Sequence, residues 1–200
     1  MDVRQAIEQR RSVKKFDPDH VMTAAERDEL LRLTLLAPTA FNLQHCRLVV
    51  VTDPDLRAEL RRLSWNQAQV TDASLLVAVC ADVRAWARQP ERCWDHVDEG
   101  VRAAILGAVD GFYRDQPQAQ RDEALRSCGL AAATLMLAAK GLGYDSCPMD
   151  GFDFDAVGRA LNLPDDHLLS MFVAVGKPLQ PAHPRGGRLP LDEVIIENRF

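Results

Sequence analysis

Residues 10 to 16 read Arg10-Arg11-Ser12-Val13-Lys14-Lys15-Phe16, which places four cations and a hydroxyl within six positions. Arginine offers a planar fork that grips phosphate oxygens through two parallel bonds, lysine adds a mobile point charge, and serine adds a short donor. The knot is local, because the 200-residue chain carries 29 Asp and Glu against 24 Lys and Arg, a net charge of −5. It therefore suits one compact anion better than a polyanion. The competing reading is a solvated helix end, where arginine is stabilised by the helix dipole with no ligand at all.

Three other segments carry residues of chemical interest: Pro38-Thr39-Ala40-Phe41-Asn42-Leu43-Gln44, Pro148-Met149-Asp150-Gly151-Phe152-Asp153, and Arg185-Gly186-Gly187-Arg188-Leu189-Pro190. Several familiar chemistries are missing. No Gly-x-Ser-x-Gly surrounds any serine, so no nucleophile elbow is visible. Gly141-Leu142-Gly143 closes a helix instead of opening one after a strand, so it is no dinucleotide fingerprint. Cys93-Trp94-Asp95-His96-Val97-Asp98-Glu99 offers ligand types, but the spacing fits no zinc or two-metal pattern and a solvated helix face accounts for it. The five cysteines are odd in number and widely spaced, with no Cys-x-x-Cys, which is neither a disulfide framework nor a zinc signature. Cys80 and Cys128 lie in apolar segments, where thiols serve as small core residues.

The elements that must position these residues follow from caps and periodicity. Asp2 with Gln5 forms a capping box that opens a helix to about Arg10. Thr23 with Glu26 forms a second, starting a helix through Leu36 that Pro38 ends. Arg47 to Thr52 reads as a strand, Pro54 starts a helix to about Ser64, and the apolar run Leu75 to Ala81 is a strand buried on both faces. Residues 83 to 117 hold helical excursions of open boundaries. An Ala-rich helix spans 121 to 142, Asp153 caps a short helix to Leu161, and Leu169 to Val175 is another buried strand. The tail from Leu179 is loop-like until 191–196, which could add an edge strand. Four short strands among longer helices imply a single α+β domain over 1–200, its sheet enclosed by helices. The Ala-rich helix and the apolar tail suggest surface for a second subunit.

With 47% hydrophobic residues the chain can build a substantial core. A pI near 5.5 argues against nucleic acid as a partner. No apolar run approaches the roughly 20 residues of a membrane helix. Met1-Asp2-Val3-Arg4-Gln5 lacks the plan of a signal peptide, so a cytoplasmic location is expected.

The order and spacing of the four segments resemble the FMN-dependent nitroreductase family through nearly the whole chain. Helix followed by Arg-Arg-Ser-Val-x-x-Phe is similar to that family's opening. Ala37 to Gln44 resembles its Ala-Pro-Ser-x-x-Asn-x-Gln-Pro loop, Gly141 to Pro148 the Gly-Leu-Gly stretch before its flavin-edge turn, and Arg188 to Val194 its closing motif. The resemblance implies a central mixed, mainly antiparallel sheet enclosed by helices, and a homodimer with FMN at the interface. Arg10, Arg11 and Ser12 would hold the phosphate and ribityl chain, with Gly187 and Arg188 closing on the phosphate. Lys14 would reach the pyrimidine edge of the ring, and Asn66 and Gln69 would add ribityl and ring-edge contacts. Pro38, Thr39, Ala40 and Asn42 would come from the other subunit. Pro148, Met149, Asp150 and Gly151 would form the turn whose backbone N–H faces flavin N5.

The implied activity is NAD(P)H-dependent reduction of nitroaromatics, quinones or similar flat acceptors by ping-pong hydride transfer. The alternatives are other flavin chemistry on the same fold, such as a dehydrogenase, dehalogenase, flavin-fragmenting enzyme or flavin reductase, or a non-enzymatic FMN-binding redox sensor. No protein acid or base is required, because the cofactor carries the chemistry, and no catalytic side chain is named. A fixed cation near N1 and O2 would raise the reduction potential. Phe41 and Trp65 could line a flat pocket over the flavin, although isolated aromatics suit a core equally well. Phe112 and Tyr113 offer a weaker case for a lid. This chain departs from the family pattern at Thr39-Ala40, at His45-Cys46 on the substrate side, and at Gly186, where a Lys is frequent and Arg185 stands just upstream to compensate.

Overall fold

The computed structural model describes residues 1–200. Helices α1 (Val3–Gln9) and α2 (Ala24–Thr34) both start from complete capping boxes, Asp2 with Gln5 and Thr23 with Glu26. Each satisfies two orphan donors at a helix start reciprocally, as their spacing implied. Strand β1 (Cys46–Val51) leads to α3 (Pro54–Leu63), which has Asp53 as its cap and proline in its first turn. A short α4 (Gln69–Asp72) precedes β2 (Leu75–Asp82), all eight residues of which are buried.

Residues 83–117 resolve into 3₁₀ turns at Ala85–Ala87 and Pro90–Trp94, then α5 (Glu99–Tyr113) capped by the Asp98 side chain. The Cys93–Glu99 stretch is therefore a turn and a cap, not the helix face expected of it. The long α6 runs Pro117–Gly141, beginning four residues before the expected start with proline in its first turn. Strand β3 (Asp145–Met149), α7 (Phe154–Ala160), β4 (His167–Gly176) and a single-turn α8 (Leu191–Val194) complete the chain.

The sheet has the order β1-β2-β4-β3 with every neighbouring pair antiparallel. One parallel bridge, Ser12 to Ser146, joins the chain before α2 to the outer edge of β3 and makes that edge mixed. One face packs Leu76, Ala78, Cys80 and Phe172 against Leu60 of α3, Val70 of α4 and Val157 of α7. The other packs Leu75, Val77, Val79, Val173 and Val175 against Leu30 of α2 and Ala124, Cys128, Ala132, Leu135 and Ala139 of α6. Small side chains on α6 let a helix roughly 37 Å long lie close across the strands.

Two expectations are corrected here. The segment 191–196 is not an edge strand; it forms α8 and its continuation, exposed throughout and with no strand beside it. The fourth strand is Asp145–Met149, which Pro148 disguises in sequence because proline donates no ladder hydrogen bond. Its place at the edge of the sheet is where that loss is tolerated.

Candidate functional site

The 10–16 segment lies along the outer edge of β3. Val13 N donates to Ser146 O at 3.1 Å, and Asp17 N donates to Lys177 O at 2.9 Å. Val13 and Phe16 are buried in the core while Ser12, Lys14 and Lys15 are exposed, so the extended segment turns its apolar residues inward and its donors outward. The parallel bridge at Ser12–Ser146 carries Lys14 alongside Pro148. Burial pushes the Cys147 thiol up, while the nearby Lys14 and Arg10 charges pull it back, so both cations bear on this strand.

At the head of the segment four guanidinium groups converge. Arg185 Nη2 donates to the carbonyls of Glu8 at 2.9 Å and Arg10 at 3.0 Å, closing the C-terminal end of α1. Arg11 Nη2 donates to the carbonyl of His183, so the tail is laid across the same helix end. The Arg185 pKa is lowered, first by desolvation and then by the charges of Arg11, Arg188 and Arg10. No carboxylate pairs with any of the four. Arg188 touches only its neighbour's carbonyl, Gly187 O, at 3.5 Å. Arg10 Nη1 and Ser146 Oγ are buried without any partner. Clustered like charges and orphaned buried polar atoms are both costly, and a bound anion would relieve both.

The other end of this edge is the turn after β3. Gln67 Nε2 donates to Gly151 O at 2.9 Å, and Gln69 Nε2 donates to Gln67 Oε1 at 3.0 Å. Trp65 is 75% exposed and its ring lies against the turn: a methyl on Gly151 would come within 2.8 Å of Trp65 Cζ3. Trp65 and Asn66 both adopt left-handed backbone, at φ 53° and 55°. Gln69 itself is buried and spends its amide on Gln67, so it supports the turn from below, while Asn66 is exposed. Half-buried Pro148 and buried Met149 lead into the turn, where Asp150 is exposed. From Ser146 to Gly151 the strand edge runs roughly 17 Å, with a cationic end, a lysine midway and a side-chain-free turn beyond.

The Pro38–Asn42 loop is elsewhere. It precedes β1, at the opposite edge of the sheet from β3, and Cys46 lies at the end opposite Ser146 in the strand register. Four strand spacings across and about six residues along separate it from Ser12 by roughly 28 Å. Thr39 stays beside Cys46, sharing a small cavity with it, and Thr39 Oγ1 accepts from Gln44 N at 3.0 Å. Phe41, at φ 50°, packs its ring 6.3 Å from Tyr113 and 6.5 Å from Phe112, and its carbonyl accepts from Trp94 Nε1 at 3.1 Å. Tyr113 is buried with Trp86 and Leu43, whereas Phe112 is 55% exposed. His45 faces the interior: its Nδ1 is 3.2 Å from Ser127 Oγ, and burial lowers its pKa.

One chain thus brings together Arg10, Arg11, Ser12, Lys14, Arg188, Gly151 and Trp65 along one edge. It does not bring Pro38, Thr39, Ala40, Phe41 and Asn42 to them. Residue-by-residue reading missed Gln67 and Ser146. Gln67 sits between two singled-out residues, and only the fold reveals which amide of the three faces the turn. Ser146 carried no motif signal; its register opposite Ser12 marks it. The donor set fits a phosphorylated, elongated, planar group such as FMN, with Arg10, Arg11, Arg185 and Arg188 at its phosphate and Lys14 and the Gly151 turn at its ring.

The model of the nitroreductase family matches residues 7–177. The chain is 48% identical to the protein DrgA of Synechocystis over 98% of this chain and 95% of the relative. It is 34% identical to MhqN of Bacillus subtilis, which is named as an NAD(P)H nitroreductase, over 94% and 95%. A protein from Exiguobacterium sibiricum described as a nitroreductase, solved in complex with FMN, superposes with a TM-score of 0.91 at 28% identity, covering 98% of this chain and 97% of that one. With the matched residues spanning the four-stranded sheet, the helices on both its faces and the Arg10–Lys14 segment, the chain belongs to the nitroreductase family.

Proposed function

We propose that the protein is an FMN-dependent NAD(P)H oxidoreductase that reduces nitroaromatics, quinones or similar flat acceptors in a ping-pong cycle. The observation that carries this reading is the carboxylate-free cluster of Arg10, Arg11, Arg185 and Arg188, at the head of an edge that ends in the Gly151 turn. A phosphate monoester would offset about half of that cluster's charge and give the orphaned Arg10 Nη1 an acceptor. When bound, FMN supplies the redox chemistry by accepting and returning a hydride at N5.

The chain's own residues bind and orient. Ser12 and Ser146 present hydroxyls beside the phosphate end, and Lys14 holds a positive charge at the electron-rich edge of the ring. Gln67 donates to the Gly151 carbonyl and Phe152 N donates to Asp150 O at 3.1 Å, so the turn that carries the Gly151 backbone N–H is held from both sides. Trp65 offers an exposed indole face beside the turn for a flat acceptor.

The loop carrying Pro38, Thr39, Ala40 and Asn42 is roughly 28 Å from the cationic end of this edge within one chain, and three strand spacings, roughly 14 Å, still separate the start of β1 from the Gly151 turn, so its role is to complete the site of a second copy. The working unit is a homodimer with two sites, each drawing on both chains. Exposed apolar side chains on the tail, Leu179, Leu189, Leu191, Ile195 and Ile196, support a partner-covered surface. Steady-state NAD(P)H oxidation by the yellow protein, with and without a nitroaromatic or quinone, tests the reading. Acceptor-dependent turnover with parallel-line kinetics is expected; a flavin that NAD(P)H does not reduce would favour the redox-sensor alternative.

A further inference from the structure

The Pro90–Trp94 turn is pinned against the loop before β1: Trp94 Nε1 donates to Phe41 O at 3.1 Å, and Gln44 Nε2 lies 3.5 Å from Cys93 Sγ. Between them opens a cavity of about 430 Å³ whose polar lining is Gln44, Arg47, Arg88, Gln89 and Arg92, with no carboxylate among its lining residues. Two of the three arginines are anchored from beneath. Arg47 and Arg88 reach the buried Asp82 carboxylate at 2.9 and 3.1 Å, and Arg88 continues to Asp166. That anchoring orders the forks without hiding them, since their side chains remain 45% and 47% exposed. Arg92 makes a single weak contact, Nη1 to Gln89 Oε1 at 3.5 Å, and forms no ion pair, so most of its fork is uncommitted.

Three guanidinium groups and two amides line one wall. Asp82 and Asp166 balance two of the charges from beneath, and the unpaired Arg92 leaves the wall cationic in a chain of net charge −5. Such donors suit a compact phosphorylated group. The cavity is not the Arg10–Arg188 cluster, which lies at the far corner of the same chain's sheet. Phe41 is fixed to its rim through Trp94, and Phe41 belongs to the loop assigned above to a second copy's site. A donor whose reduced ring must lie against the flavin would carry its charged end away from that ring, toward this rim.

We propose that the Arg47–Arg88–Arg92 cavity binds the phosphate groups of the NAD(P)H donor, an inference that rests on the oxidoreductase reading above. The phosphate has two possible sources: the pyrophosphate common to NADH and NADPH, or the 2′-phosphate that only NADPH carries.

The test uses the FMN-loaded protein. Wild type and Arg92→Gln are titrated calorimetrically with ADP and with adenosine 2′,5′-bisphosphate, and KM is measured for NADH and NADPH. Arg102→Gln, which removes a cation near Asp95 outside the cavity, is the control for charge loss alone. Arg92→Gln is expected to weaken binding and raise KM by about ten-fold with kcat retained, because a charge-assisted fork is lost from ground-state binding. A loss confined to the bisphosphate and NADPH assigns the 2′-phosphate; a loss shared by both nucleotides and both donors assigns the pyrophosphate. Wild type that binds neither probe, or Arg92→Gln that binds both as tightly as wild type, overturns the proposal. Calorimetry needs no turnover, so a protein that fails to oxidise NAD(P)H overturns the oxidoreductase reading without being confused with a cavity that binds no phosphate.

Discussion

Single residues on the β3 edge make separable contributions, and each can be removed alone. Arg10 and Arg188 stand in a cluster without carboxylates, so neither holds the fold together through an ion pair. Replacing either by Ala removes one charge-assisted phosphate contact, worth about 1.5–3 kcal/mol. FMN affinity should fall by about ten-fold or more in a fluorescence titration. If both variants bind FMN as wild type does, the cluster serves something else. Lys14 has a different job. Its charge bears on Cys147 in the middle of the edge, where the ring of a bound flavin would lie. Lys14→Met should leave FMN bound but lower its midpoint potential, because negative charge on the reduced ring loses its counter-charge. Potentiometry showing an equal or higher midpoint removes Lys14 from that position.

At the scale of elements, the ends of strands and helices are held by charged groups whose loss has a calculable direction. Asp82 closes β2 with a carboxylate that is only 1% exposed, shared by Arg47 and Arg88. Asp82→Asn leaves both guanidinium groups without their anchor, though each is half in water, so the cost is discounted to about 2 kcal/mol. A lowered urea midpoint with unchanged slope is the expected signature. Helix α2 supplies a pH-dependent counterpart. The Glu26 carboxyl is held down to about 2, chiefly by the Thr23 hydroxyl, then by the Thr23 backbone and the Tyr144 hydroxyl. A folded-state pKa below the unfolded value means stability that is present above about 4.5 and lost as pH falls towards 2. Glu26→Gln should therefore be less stable than wild type at neutral pH and converge with it in acid. Parallel pH profiles for the two proteins would show that the capping box carries no such linkage.

For the whole molecule, the decisive feature is the distance between the cationic edge and the Pro38–Asn42 loop. A separation of roughly 28 Å from Ser12, and roughly 14 Å from the Gly151 turn, is more than side chains close, which supports the proposed site built from two chains. A mixed dimer tests this directly. One subunit carries Arg10→Ala with Arg188→Ala, and the other carries Pro38→Gly with Asn42→Ala. Each homodimer is expected to be nearly colourless or inactive, whereas the hybrid should regain one intact site. Hybrids with no recovery would mean that each site is built within one chain. The proposed dimer should also lose flavin as it dissociates, since ligand binding and association would stabilise the same state.

Much of this was legible in the chain before any tertiary structure. The capping boxes at Asp2 and Thr23 placed α1 and α2, the apolar run at 75–81 marked the central strand, and the motif order marked the family. Such signals are local: a side-chain oxygen reaches a backbone N–H three residues on, and a strand buried on both faces must be apolar throughout. What failed was non-local. Asp145–Met149 is a strand because β4 offers it an edge, and 191–196 is not one because nothing offers it a partner, despite its Val and Ile residues. The role of Gln67 depended on which of three neighbouring polar side chains faced Gly151 once Trp65 and Asn66 took left-handed backbone. Pairing partners and the direction of side chains are set by the packing of distant segments. For that reason the sequence determined the elements and the chemistry, while only the tertiary structure decided which residues of one chain share an edge and which lie apart from it.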